Sequence, residues 1–112
     1  MRCPTSIAST HIRKLQERVV AKSSCGPLSD LETLLLKLQQ EYPDDRGVLT
    51  PLLLNYLRLQ PGECFFIGPN EPHAYLSGDC IECMALSDNV VRAGLTPKFC
   101  DVETLCSMLH YR

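Results

Sequence analysis

Tryptophan is absent from the 112 residues, and phenylalanine and tyrosine together bring the aromatic share to only 6%. So small an inventory excludes a platform on which successive nucleic-acid bases stack. An excess of one charge is also lacking: 11 Lys and Arg against 13 Asp and Glu leave a formal net charge of -2. The electrostatic footprint of a DNA or RNA binder is therefore missing, and no nucleic-acid partner is expected. No apolar run approaches the roughly 18 residues that a membrane span needs, so no membrane partner is expected either. What is plentiful is ordinary globular material, 45% hydrophobic and 21% charged, which excludes wholesale disorder. The length suits one domain or part of one.

Cysteine is abundant, at seven residues, yet a disulfide scaffold is not the reading it supports. The number is odd, no secretory leader is recognisable, and Cys64, Cys80, Cys83 and Cys106 stand in apolar runs as small hydrophobes. A reducing, cytoplasmic compartment is the simpler expectation. Cys80-Ile81-Glu82-Cys83 has the C-x-x-C form, but no second pair follows at zinc-knuckle spacing. Residues three apart on a strand also face opposite sides, which disfavours joint ligation.

The basic residues Arg2, Arg13, Lys14, Arg18 and Lys22 stand against the single acid Glu17 before Ser29. With its serines, this stretch has the composition of a mitochondrial targeting segment. The plainer reading, an amphipathic helix, is preferred. Ile12, Leu15, Val19 and Val20 fall at near-helical spacing, and Cys25-Gly26-Pro27 stops the helix. Ser29 and Glu32 form a capping box for a second helix, with Leu31, Leu34, Leu35, Leu38 and Tyr42 on one face. Pro43 ends that helix, and Asp44-Asp45-Arg46-Gly47 is a turn. Thr50-Pro51 suits the start of a short helix.

Beyond it the pattern turns to strands. Leu57-Arg58-Leu59 alternates, Pro61-Gly62 is a turn, and Cys64-Phe65-Phe66-Ile67 is a second apolar run. His73-Ala74-Tyr75-Leu76 and Cys80-Ile81-Glu82-Cys83-Met84-Ala85 follow, separated by Ser77-Gly78-Asp79. Asp101 caps a last helix whose apolar face is Val102, Leu105, Met108 and Leu109. The expected fold class is α+β, with no repeat. Its segments are a helical 1–27, a helical 28–47 and a strand-rich 48–112.

His73, on a loop braced by prolines, has the setting of a metal ligand because a rigid loop spares the imidazole its ordering entropy. Gly62, Gly68, Asn70 and His73 stand at the offsets of a motif of the cupins, small jelly-roll β-barrels that often hold a metal. Asn70 takes the place of a glycine there, and asparagine is the next best residue for a left-handed turn.

A longer agreement is far more specific. Pro72-His73-Ala74-Tyr75-Leu76-Ser77-Gly78-Asp79, Glu82-Cys83-Met84-Ala85 and the run from Ser87-Asp88-Asn89-Val90-Val91-Arg92-Ala93-Gly94 to Leu95-Thr96-Pro97-Lys98 together resemble the type I mannose-6-phosphate isomerases. The resemblance extends through Leu109 and, more weakly, back to Ser29. Over 1–26 it is poorer.

The resemblance implies part of a cupin barrel over 48–112. It also implies a sugar phosphate substrate and the exchange of mannose 6-phosphate with fructose 6-phosphate, a step in mannose and GDP-mannose supply. It implies a zinc cofactor held by a Gln, a His and a Glu from elsewhere in the family's chain, and by the histidine matching His73. Arg92 matches the family's active-site arginine, whose rigid, always-charged fork suits an enediolate. Glu82 is a candidate proton carrier, Tyr75 a substrate contact, and Lys98 a candidate for the phosphate charge. Asp88 reads as a brace of its turn. With the other ligands unrecognised, the chain is expected to be a central portion of the enzyme, inactive alone. The alternative is a cupin-derived binding module without catalysis.

Overall fold

The computed structural model describes residues 5–88 and 90–110, with only the backbone of Thr5. Helix α1 spans Thr5–Ser23 and buries Ala8, Ile12 and Val19 along one stripe. Val20 lies about 100° around the helix from Val19, and it stays 49% exposed, against the expectation that both dock. The helix ends as Cys25 donates its amide to the Lys22 carbonyl at 2.9 Å, just before Gly26 and Pro27.

Helix α2, Asp30–Glu41, starts on the expected capping box. The Ser29 amide donates to Glu32 Oε2 at 2.8 Å, and the Glu32 amide donates to Ser29 Oγ at 3.3 Å, so two orphan amides are satisfied reciprocally. Lys22 Nζ, at the end of α1, reaches Glu32 Oε1 at 2.7 Å and joins the two helices. That ammonium, then the Ser29 amide and hydroxyl, pull the Glu32 carboxyl down from 4.5 to about 2. Tyr42 closes α2 by donating its amide to the Leu38 carbonyl at 2.8 Å, and Pro43 follows.

The turn expected at Asp44–Gly47 is the entry to a 3₁₀ helix, Arg46–Leu52, which encloses Thr50-Pro51 rather than starting at it. Asp45 caps it. Helix α3, Val102–Met108, is capped by Asp101, as its sequence indicates. The core is Ile12, Leu34, Leu38 and Val48, with Tyr42, Leu49, Leu76 and Leu95 packed against it. Residues from three helical elements and from two distant loops thus share one apolar cluster.

The expected strands and partial barrel are not present: the described residues contain four helical elements and no β-strand. Residues 54–60, 63–68 and 79–88 carry no regular structure, and the backbone bond between the Glu63 amide and the Gln60 carbonyl, at 3.0 Å, closes only a turn. Alternation and apolar runs encode extended backbone, but a strand exists only when a neighbour some 4.8 Å away exchanges hydrogen bonds with it. Here no described segment lies in that register. Pro61, Pro69 and Pro72 further remove donors.

The surface reflects this. Phe66 is 89% exposed and Ile81 fully so. Total accessible area is 9052 Å², where a compact monomer of this mass exposes about 6200 Å². The cysteines expected inside follow suit: Cys64, Cys80 and Cys83 are exposed free thiols.

Gly47 and Gly94 meet backbone to backbone. A Cβ on Gly47 would stand 2.7 Å from the Leu95 amide nitrogen, and one on Gly94 would stand 3.0 Å from the Gly47 Cα. Gly47→Ala should therefore lower stability by about 1–3 kcal/mol, the usual cost of overpacking a tight contact, with urea denaturation as the check. Acid should loosen the junction of α1 and α2. A depressed carboxyl stabilises the fold fully above its unfolded value of 4.5 and stops doing so as the pH falls to about 2. An NMR titration of the Glu32 side chain should place its midpoint near the lower figure, and Lys22→Ala should move it up.

Candidate functional site

Two loops carry the sequence-selected residues, and each is shaped by its own chemistry. In the first, Asn70 adopts φ 62°, the left-handed turn that its place in the motif calls for. Glu71 turns its carboxylate back to accept the Gly68 amide at 3.3 Å. Pro72 follows, and the next residue, His73, sets its Nδ1 2.9 Å from the Glu71 carbonyl oxygen. A carbonyl only accepts, so Nδ1 carries the proton and the lone pair sits on Nε2. This is the tautomer a metal-ligating histidine uses.

Tyr75, two residues on, lies edge-on to both neighbours. Its ring centroid is 5.8 Å from that of His73 and 6.4 Å from that of Phe65. Its hydroxyl donates to Glu82 Oε1 at 3.1 Å across the Ser77-Gly78 turn, where Gly78 takes φ 100°. A carboxylate accepting from a neutral phenol favours that neutral form, so Glu82 raises the Tyr75 pKa above 10.0.

The second loop runs from Arg92 to Lys98. Arg92 is half-buried. Leu95 adopts φ 54° and packs on the core. Thr96 donates its amide to Asp45 Oδ2 at 3.3 Å, and its own hydroxyl oxygen accepts the Lys98 amide at 3.2 Å. Lys98 itself is exposed.

The two loops face each other across a cleft of about 110 Å³, where Ala74, Tyr75 and Leu76 oppose Gly94 and Leu95 over the end of α2. The structure thus brings His73, Tyr75 and Glu82 into one cluster and sets the Arg92–Lys98 loop beside it. Among the described residues, the side chains of Arg92 and Lys98 form no hydrogen bond or ion pair with that cluster. Asp88 is exposed.

Phe65 and Asp45 join the site without having been singled out. Phe65 was hidden in an apolar run that reads as strand interior. Asp45 was hidden in a turn, although Asp followed two residues later by Gly is the signal of a side chain that accepts a nearby amide. Among the described residues, no group of three or more His, Cys, Asp or Glu side chains is placed to hold a metal ion. His73 offers one well-oriented donor, and the chain's own described residues do not complete a zinc site.

The Tyr75–Glu82 pair is directly measurable. Glu82→Ala should bring the Tyr75 titration down toward 10.0, since the raising interaction is removed. The ring carbon bearing the hydroxyl, followed by NMR from pH 8 to 12, reads this against the other tyrosines. An unchanged midpoint would mean that the two groups are not bonded in solution.

No family model matches the sequence, and no solved structure matches it. Curated relatives do match it. The chain is 52% identical over 101 residues to mannose-6-phosphate isomerase 2 of Arabidopsis thaliana, covering 90% of this chain and 23% of that protein. It is 54% identical over 106 residues to a probable mannose-6-phosphate isomerase of Dictyostelium discoideum, covering 95% of this chain and 23% of that protein. It is 50% identical over 113 aligned positions to the mannose-6-phosphate isomerase of Rattus norvegicus, covering 99% of this chain and 27% of that one. The chain spans about a quarter of the length of the relatives it matches. With half of its residues identical across nearly its whole length, the chain is similar to about a quarter of a mannose-6-phosphate isomerase.

Proposed function

We propose that this chain supplies substrate-facing residues for the interconversion of mannose 6-phosphate and fructose 6-phosphate. The observation that carries the reading is the identity of about 50% to isomerases over 99% of the chain, loops 72–82 and 92–98 included. The exchange removes the proton from C2 of the aldose, passes through an enediolate, and returns a proton to C1, while the hydroxyl proton moves from O2 to O1. Such a site needs a proton carrier, an oxyanion partner and a grip on the phosphate.

Glu82 is the proposed proton carrier. Its Oε1 is engaged by the Tyr75 hydroxyl, which orients the carboxylate and leaves Oε2 to take and return the carbon-bound proton. Arg92 is proposed to face the enediolate oxygens and Lys98 the phosphate. His73 is proposed to contribute Nε2 to the zinc that the family resemblance implies. The described side chains alone do not complete the coordination of such a metal. A reducing, cytoplasmic setting suits the exposed thiols of Cys25, Cys64, Cys80 and Cys83, and the product would feed mannose and GDP-mannose supply.

The same lack of a complete ligand group favours a second reading, a sugar-phosphate-binding module without turnover. The isolated chain separates the two. We expect it to bind zinc weakly and to show no isomerase activity; stoichiometric zinc with clear turnover would overturn this.

The catalytic reading is tested in a chimeric isomerase in which this chain replaces the matching segment of the rat relative. Arg92→Ala and His73→Ala should each lower kcat by about a hundredfold or more, the scale of losing one transition-state stabiliser. His73→Ala should also lose bound zinc. Near-normal turnover after Arg92→Ala would remove that residue from the mechanism, and retained zinc after His73→Ala would remove the ligand assignment.

A further inference from the structure

We propose that Asp45 is a positioning residue for the reaction, holding the loop that carries Arg92 and Lys98 at its working distance from the helical body. The inference rests on the isomerase reading above for its kinetic consequence, although not for the tether itself. One carboxylate serves two amides that lie far apart in the chain. Oδ1 accepts from Gly47 at 2.6 Å, and Oδ2 accepts from Thr96 at 3.3 Å across 51 positions of sequence.

The first bond is ordinary capping of the 3₁₀ helix. Capping does not require the second bond, so a cap alone does not explain the geometry. The surroundings make the bridge tight. Gly94 approaches so closely that a Cβ on it would lie 3.0 Å from the Gly47 Cα and 3.1 Å from Asp45 Oδ1. Directly after Gly94, and close against Gly47, Leu95 is held at φ 54°. A branched residue stays in that region only when its neighbours over-determine it. The neighbours here are the core against which Leu95 packs and the Asp45 carboxylate that fixes the next amide.

From Thr96 the restraint passes onward, because its hydroxyl oxygen accepts the Lys98 amide at 3.2 Å. Asp45 is itself half-buried, so water competes only partly for the two amides. Arg92 precedes this knot by two residues and Lys98 follows Thr96 by two. Both cations are therefore aimed from a fixed point that Asp45 defines. A misplacement of about 1 Å in such a group costs on the order of a hundredfold in rate.

Asp45→Ser separates the two roles. A serine hydroxyl caps the 3₁₀ helix but is too short to reach Thr96 as well. In the 112-residue chain, this variant should keep its helical circular dichroism and its Gly47 amide protection. Hydrogen exchange at the Thr96 amide should rise at least tenfold. In the chimeric isomerase, kcat should fall at least tenfold with an unchanged melting temperature.

Unchanged Thr96 exchange overturns the tether, and unchanged kcat overturns its role in the reaction. Asp45→Asn, with the same shape and one acceptor oxygen fewer, is read in the same way if the serine variant loses its helical signal. Loss of helical signal in both would make Asp45 a folding residue only and end the proposal. A chimera with no turnover before any substitution would instead defeat the isomerase reading, while Thr96 exchange would still decide the tether.

Discussion

The carboxylate of Asp45 joins parts of the chain that lie 51 positions apart. It takes the Gly47 amide on one side and the Thr96 amide on the other. Its position is possible only because Gly47 and Gly94 lack side chains, so that two backbones and one carboxylate share a space where a single methyl group would collide. Everything the Arg92–Lys98 loop presents is referred to this contact. The helices, in turn, are held in register with it through Val48, one residue beyond Gly47 and 2% exposed in the core. Helix packing and loop placement are therefore one problem with one solution in this molecule.

The apolar core then explains why the other loop stands where it does. Leu76 packs on the cluster of Ile12, Leu34, Leu38 and Val48, as Leu95 also does. One leucine per loop is enough to bring Tyr75 and Gly94 to the same cleft over the end of α2. Polar partners near the cleft are arranged by short-range turns rather than by burial. The Glu71 carbonyl lies two residues from His73, and Glu82 lies seven from Tyr75. Local chemistry sets the tautomer and the proton partner, while long-range packing sets only where the whole loop sits.

That division also decides what could be read from the sequence. Signals that act within one turn were legible: the Ser29–Glu32 box, the Asp101 cap, the stop before Pro43 and the left-handed Asn70 all rest on bonds or angles between near neighbours. His73, Tyr75 and Glu82 were singled out through family resemblance, and the structure sets Tyr75 against each of the other two. Strands were read from alternation, and that failed, because alternation specifies a backbone shape and leaves the partner unspecified. Val20 failed for a smaller reason: near-helical spacing does not distinguish two adjacent positions, of which only Val19 points inward. Asp45 was read as a turn residue because its second amide lies 51 positions away, beyond any local pattern.

The two walls of the cleft consequently respond to disturbance in different ways. The side-chain hydrogen bonds of the His73–Glu82 wall join residues no more than seven apart, and such bonds re-form whenever the loop itself is intact. The Arg92–Lys98 wall depends on a bond closing a loop of 51 residues and on a leucine at positive φ. It is lost as soon as the helical body loosens. In an exposed cleft, water screens the attraction between a cation and a developing oxyanion, so position counts for more than charge alone. A cationic loop fixed to the core by a half-buried carboxylate answers that constraint. The Tyr75–Glu82 pair needs no such anchor, because a phenol and a carboxylate 3.1 Å apart already define each other's geometry. The long-range bond therefore serves the Arg92–Lys98 wall, whose own local bond, from the Lys98 amide to the Thr96 hydroxyl, does not reach the helical body.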